Sequence, residues 1–530
     1  MTESLAERTC AAQRFDFAET FRFQYLLSRD AEGPEGFETL ALDRWHLHHC
    51  PDLAVAELTD ASGRRVGALA GLAVDASGAL VRPGHRLPVA AEDPGFADAA
   101  RSFATGCGGR YVVVIDAPGL AAVFPDPAGA MGLVYDPEGR RVASSPLLAL
   151  TRDIRPNPDY RPEALPLAAR LPGIEAPTEG PPEDYKGIYG FGDTPDAVLR
   201  RVVPNHALSL DDFTESRFWP GPGALEALAG APTEALAEQV AARLSQIGAG
   251  ILGAGPAEIA LSGGYDSRMV LACLAPHLEA APEARLFSYA NTFSSKLDAE
   301  VAGLLAARLG RPLERIVHPD GLRRSFLATR FHRRRRGYRF VLVTGGAARH
   351  PTTQASGLLD QLRPSATLVR GNMLELAGAV WWPPRDLPLT GDRAARHMLI
   401  RCQVAMNGRR EEAHRRAKLD AWRAGLPDAA RLVIHDFNYI ENTLPNTQVG
   451  MMGHPHLFYL PPANDRSIFA ACMAAPVGIR HDRSFYAAIM AASGAPYLAE
   501  LPTIRELAAR AEREGVQGHD ALFERLRSQL

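Results

Sequence analysis

Lysine is nearly missing from this 530-residue chain: 58 positions are Lys or Arg, and only Lys186, Lys296 and Lys418 are lysine. A reaction step that needs an ammonium has few candidates, and the GxxxxGK[ST] loop of Walker-type nucleotidases is excluded. No run of about 18 uncharged apolar residues occurs, so no membrane span is expected. Met1 to Phe17 carries Glu3, Glu7, Arg8, Arg14 and Asp16 and lacks the basic and apolar regions of a secretory signal, so a cytoplasmic location is expected. Cysteine is sparse as well. Cys10, Cys50, Cys107, Cys273, Cys402 and Cys472 form no CxxC pair, which argues against a zinc ribbon or redox motif and predicts free buried thiols. The net charge of -3 gives no global pull toward nucleic acid or an anionic membrane, and neither is expected as a partner.

What is present is the composition of a folded protein, 46% hydrophobic and 22% charged, long enough for two or more domains. Up to about Pro220, short strand-like runs alternate with Gly, Pro and Asp turns: Arg110 to Asp116, Gly119 to Phe124, Met131 to Tyr135 and the Arg200 to Pro220 pair. A Pro- and Glu-rich stretch from Arg155 to Asp184 reads as a surface excursion, and Gly221 to Pro232 as a linker. Beyond it the texture changes. Helical periodicity over Thr233 to Ile247, a strand at Ala257 to Leu261, a helix at Arg268 to Leu278, then Ala284 to Tyr289, Asp298 to Leu309 and Leu313 to Val317 predict a parallel sheet with crossover helices. Gly248, Gly250 and Gly253 fit GxGxxG, but they follow a helix and precede a strand, the reverse of the dinucleotide-binding order.

The chemistry concentrates in Ala257 to Leu274, AEIALSGGYDSRMVLACL. A strand ends at Leu261, Ser262 to Ser267 turns sharply on Gly263 and Gly264, and a helix follows. Backbone donors, two serine hydroxyls and a positive helix end suit a phosphate or pyrophosphate, and Asp266 suits Mg²⁺.

SGGYDS resembles the SGGxDS pyrophosphate loop of the N-type ATP pyrophosphatases, and its surroundings resemble the asparagine synthetase superfamily, which includes β-lactam synthetase and lasso-peptide cyclases. Arg285 to Tyr289 with Leu297 to Ala302 is similar to that family's second strand and following helix. Gly109 to Ile115, Asp126 to Tyr135, Ala143 to Ser145 and Thr194 to Leu210 with Trp219 are similar to its N-terminal glutaminase-type sandwich. The resemblance implies a degenerate class II glutamine amidotransferase-like (Ntn-like) β-rich domain over residues 1–220 and an asparagine synthetase-like α/β domain with a parallel sheet, adenine nucleotide α-hydrolase-like, over 221–530. It implies ATP on Ser262, Gly263, Gly264, Asp266 and Ser267, with the backbone of Leu261 and Ser288 beside the adenine, Gly371 nearby and Mg²⁺ on Asp266. The implied reaction adenylates a carboxylate, releases pyrophosphate and lets an amine displace AMP.

Three departures from the family pattern shape the expectation. Position 2 is Thr2 and Cys10 lies too far in to be a terminal nucleophile, so glutamine hydrolysis is not expected. The glycine-rich acidic segment matches Val369 to Gly378, VRGNMLELAG, where Leu374 takes the place of the metal-binding aspartate; Glu375 is then either a substitute ligand or a helix-start glutamate. The late segment Tyr459 to Pro502 has no lysine, leaving Arg480 and Arg483 as cations able to stabilise charge but not to transfer a proton. Lys296 is placed in the loop after the second strand.

Two smaller clusters stand apart. RWHLHHCPD, with His46, His48, His49 and Cys50, reads as a surface turn or strand, with zinc as the alternative. Arg333 to Arg336 reads as a solvated helix face or a site for an acidic or phosphorylated substrate. The expected substrate is a small molecule or peptide bearing a carboxylate and an amine. Asparagine synthesis from ammonia and a catalytically silent nucleotide-binding partner protein remain the alternatives.

Overall fold

The apolar run Val112 to Ile115 forms the middle of a strand, Gly108–Ala117, every residue of which is buried. Such a strand needs apolar cover on both faces. In the computed structural model, cover comes from Leu27 and Leu47 of a neighbouring sheet and from the helix Thr233–Leu252, whose Ile247 lies against Gly108 and whose Gly250 lies against Val74. The structure describes residues 3–160, 171–174, 189–290, 293–317, 326–345, 358–384, 391–401, 409–446 and 454–529.

In chain order the strands are β1 (Tyr25–Ser28), β2 (Glu38–Ala41), β3 (His46–His49), β4 (Val55–Thr59), β5 (Arg65–Val74), β6 (His85–Arg86), β7 (Gly108–Ala117), β8 (Leu120–Pro125), β9 (Val134–Asp136), β10 (Arg141–Ala143), β11 (Arg200–Arg201), β12 (His206–Ser209), β13 (Glu215–Arg217), β14 (Ala257–Ala260), β15 (Arg285–Tyr289), β16 (Leu313–Ile316), β17 (Thr367–Val369) and β18 (Phe458–Leu460). They form a six-stranded sheet ordered β11-β9-β10-β1-β3-β2, a seven-stranded sheet ordered β13-β12-β8-β7-β5-β4-β6, and a five-stranded sheet ordered β16-β15-β14-β17-β18. The first is antiparallel throughout and the third entirely parallel; in the second only β4 and β6 run parallel.

The strand predicted at Met131 to Tyr135 is shorter, Val134–Asp136. The Asp126 carboxylate accepts the N–H groups of Ala128, Ala130 and Met131 at 3.1, 2.9 and 2.7 Å, which withdraws those residues from any ladder. Gly248 and Gly250 lie inside the helix Thr233–Leu252 and Gly253 caps it, so this GxGxxG is helix packing. The Pro-rich excursion lies mostly outside the described residues, as do Thr2, Lys186 and Cys402.

The architecture changes near Pro220, but the core does not break there: one apolar cluster contains Tyr111 and Val114 as well as Ile259 and Leu286. Buried polar groups cross the same junction. Arg243 pairs with Asp465 at 2.8 Å and donates to the carbonyls of Val74, Asp75 and Gly106. Arg466 donates to the carbonyls of Ala104 and Pro125, and Asn464 donates to Gly109 O and Asp126, each at 2.7 Å. Among the described residues no helix is long and apolar enough to cross a membrane.

Candidate nucleotide-binding site

In the parallel sheet the chain moves from β14 outward to β15 and β16, then returns to the other side of β14 with β17 and β18. The reversal lies between β14 and β17, and the carboxyl ends of the strands at such a reversal are where parallel sheets form their binding crevice. Two loops meet there, Ser262 to Ser267 after β14 and Arg370 to Leu374 after β17.

Leu261 N–H extends the parallel ladder onto Phe287 O at 2.8 Å, which sets Leu261 beside the buried Ser288. The chain then turns. Ser262 N–H donates to Ser267 Oγ at 3.1 Å, the two hydroxyls lie 3.0 Å apart, and Gly264 N–H donates to Ser262 Oγ at 3.3 Å. This serine staple pins the start of the helix Tyr265–Leu274, whose N-cap, Gly264, offers no side-chain acceptor to the first-turn donors. Gly263 departs from expectation: its N–H is taken by Asp298 at 2.9 Å, and a Cβ there would lie 3.1 Å from Asp298 Oδ1 and from Val301. Its role is to let the helix Phe293–Arg308 approach.

Gly371 explains how the second loop reaches the first. A Cβ on it would sit 2.6 to 2.8 Å from the Asp266–Ser267 peptide, so only glycine permits this contact. Met373 takes a left-handed conformation, φ 77°, uncommon for a residue with a side chain. Beyond it Leu374 is buried with its carbonyl near the Tyr486 hydroxyl, while the Glu375 carboxyl lies close enough to Asp266 for its charge to act on it. Of the two readings of Glu375, substitute ligand or helix-start glutamate, its effect on Asp266 favours the first, and it does so from the start of a short 3-10 helix, Leu374–Gly378.

Burial, then the charge of Glu375, pushes Asp266 up to about 7; the Tyr486 hydroxyl, 2.8 Å from Oδ1, and Arg483 and Arg505 partly offset this. Glu375 is raised by burial too, against a hydrogen bond donated by Tyr439 at 3.0 Å. The two carboxyls titrate as a pair. A divalent cation between them would relieve both burial and repulsion. The described residues contain no group of three or more His, Cys, Asp or Glu able to hold a metal. Two carboxylates suit a Mg²⁺ whose remaining ligands are phosphate and water.

The expected cations separate. Arg480 is fully buried, makes a fork to Asp436 at 2.6 and 2.9 Å and donates to Leu376 O. Its charge is neutralised, so the expectation of a cation acting on substrate gives way to a positioning role for the Glu375 turn. Arg483 is half-buried, stacks over Tyr265 and Tyr486 at 5.7 and 5.2 Å, and lowers Asp266. Lys296 lies in the helix Phe293–Arg308, not in a loop, and is exposed; two residues from Asp298, it is about 200° around the helix from that contact.

Sequence reasoning passed over several neighbours. Arg370 follows β17 and stacks over Tyr459 at 5.8 Å. Tyr439 and Tyr486 carry no motif and reach Glu375 and Asp266 only through the fold, while Asp298, within the Leu297 to Ala302 segment, closes on Gly263. The late segment also closes the site's back wall: Arg268 donates to the carbonyls of Leu501 and Pro502, and Ile504 N–H to Gly263 O at 3.1 Å.

The histidine cluster is the interior strand β3, not a surface turn. His48 is fully buried, hydrogen-bonded to Ser28 and Thr39 at 3.1 and 2.8 Å, and burial lowers it to about 4. Of the arginine run, Arg335 and Arg336 are exposed on the helix Phe326–Thr344; Arg335 covers Phe15 and Arg336 pairs with Asp360 at 2.7 Å. The side chains of Arg333 and Arg334 lie outside the described residues. Cys10, Cys50, Cys107, Cys273 and Cys472 are buried and free. No protein-family model and no curated protein matches this chain.

Proposed function

We propose that the chain is an ATP-dependent, AMP-forming amide ligase of the asparagine synthetase kind, without glutaminase activity. The observation that supports it most is the meeting of the stapled Ser262–Ser267 loop with the Asp266–Glu375 carboxyl pair at the sheet's reversal. ATP would lie with its adenine beside Leu261 and Ser288 and its phosphates on Ser262, Gly264 and Ser267. Mg²⁺ held by Asp266 and Glu375 would supply charge neutralisation for the leaving pyrophosphate.

The protein's own groups do the rest. The serine staple and the first-turn N–H groups orient the phosphates, and Arg483 adds positive charge beside Asp266. A substrate carboxylate oxygen bonds to the α-phosphorus as the bond to the β-phosphate oxygen breaks. An amine nitrogen then bonds to the acyl carbon, AMP leaves, and the nitrogen loses a proton. In this reading residues 1–220 are a degenerate glutaminase-type sandwich.

The test is direct. Calorimetry should detect Mg·ATP binding, lost in Asp266→Ala, and a panel of carboxylates with hydroxylamine should yield hydroxamates and pyrophosphate. Absence of Mg·ATP binding by the wild-type chain would sink the reading.

A further inference from the structure

Every cation given a task so far has a compromise: Arg480 is neutralised by Asp436, Arg483 lies over two phenol rings, and Lys296 is turned away. Arg370, beside the phosphate loop, lies over a phenol ring as well but forms no ion pair among the described residues. Arg370 is the first residue beyond β17, next to Gly371, whose backbone lies against the Asp266–Ser267 peptide. Its position in the chain thus places it at the rim of the phosphate loop. Its plane lies over Tyr459, which accepts a hydrogen bond from it and donates its own hydroxyl proton to Asn372. Tyr289, at the end of β15, and Glu375 also act on it electrostatically, yet no carboxylate forms an ion pair with it among the described residues.

We infer that Arg370 is the residue that grips the nucleotide's phosphate oxygens, an inference that rests on the ATP-binding reading above. The reasons are geometric and chemical. A guanidinium presents five N–H donors in a planar fork that matches phosphate. Tyr459 claims one side of the fork and stiffens it through Asn372, so the remaining donors are pre-oriented rather than flexible. Arg370 follows β17 and the serine staple follows β14, so each of the two loops that meet at Gly371 brings donors to the site. Glu375 lies near Arg370 without pairing to it, which lets one carboxylate serve Mg²⁺ while the guanidinium serves phosphate.

The experiment is calorimetric titration of the full chain with Mg·ATP, Mg·pyrophosphate and adenosine, using the wild type, Arg370→Gln and Arg370→Lys. Arg370→Gln is expected to weaken Mg·ATP and Mg·pyrophosphate by about tenfold or more, the effect of one charge-assisted contact, with adenosine unchanged. Arg370→Lys should recover part of the loss, since it keeps the charge but not the fork. Melting curves of both variants check that the Tyr459 packing survives, and Arg370→Lys carries the comparison if Arg370→Gln melts early. The inference fails if Arg370→Gln binds Mg·ATP within twofold of wild type. It fails equally if adenosine is lost in parallel with Mg·ATP, because that marks Arg370 as scaffold only. Wild-type chain that binds adenosine but neither phosphate ligand overturns the phosphate role of Arg370, and binding of none of the three overturns the nucleotide reading itself.

Discussion

At the scale of the residue, Asp266 is where burial and function oppose each other. Its carboxyl is raised from the free value of 3.8 to about 7, so in the apo protein the unfolded chain ionises first as pH rises. Stability associated with this group is therefore lost between about pH 4 and about pH 7. Asp266→Asn should melt above the wild type at pH 8 and match it at pH 4, in thermal unfolding without ligand; equal melting at both would show that the carboxyl is solvated. Binding runs the other way. Below about pH 7 a divalent cation must displace the proton, so Mg·ATP affinity should fall about tenfold per pH unit and level off above it. Calorimetry across pH 5.5 to 8.5 reads this slope, and an affinity that does not change with pH would show that neither carboxyl gives up a proton on binding. Tyr486→Phe removes a hydroxyl that favours the ionised form, and should move the break point upward while costing about 1 kcal/mol of stability.

At the scale of the element, the site depends on two loops that touch through a residue with no side chain. Gly371→Ala adds a methyl where backbone already stands 2.6 to 2.8 Å away, so the β17 loop must retreat from the helix Tyr265–Leu274. We expect a stability cost of about 1–3 kcal/mol in urea unfolding and loss of measurable Mg·ATP binding. Retained binding would mean that the carboxyl pair does not need this contact. The loop after β14 was readable in the chain because its glycines, serines and helix start are contiguous. The loop after β17 was legible only in part: with Leu374 at the expected aspartate position, spacing left Glu375 as either a substitute ligand or a helix-start glutamate. Its effect on Asp266 comes from packing between two loops distant in the chain, which spacing does not report.

At the scale of the whole molecule, the two architectures on either side of Pro220 share buried charge. Arg243, with its side chain 8% exposed, faces Asp465 at 2%. Removing one partner leaves the other charge in the core, and Arg243→Met should cost about 3–5 kcal/mol. Chemical denaturation of the intact chain should show one cooperative transition; two separated transitions would mean that the junction contributes little. Composition and local pattern were enough to determine that the chain folds, that a β-rich part precedes a βαβ part, and that Ser262 to Ser267 forms a strand-to-helix loop, because each follows from contacts between residues close in sequence. The tertiary structure alone decided which charges are free and which are spent. With three lysines among 58 cationic residues, the cations that act on Asp266 among the described residues are arginines. Yet Arg480 proved to be locked to Asp436, while Arg370, inside the VRGNMLELAG segment but given no role there, lies over Tyr459 without an ion pair among the described residues. An arginine's availability depends on partners that are distant in the chain, and only packing brings those partners near.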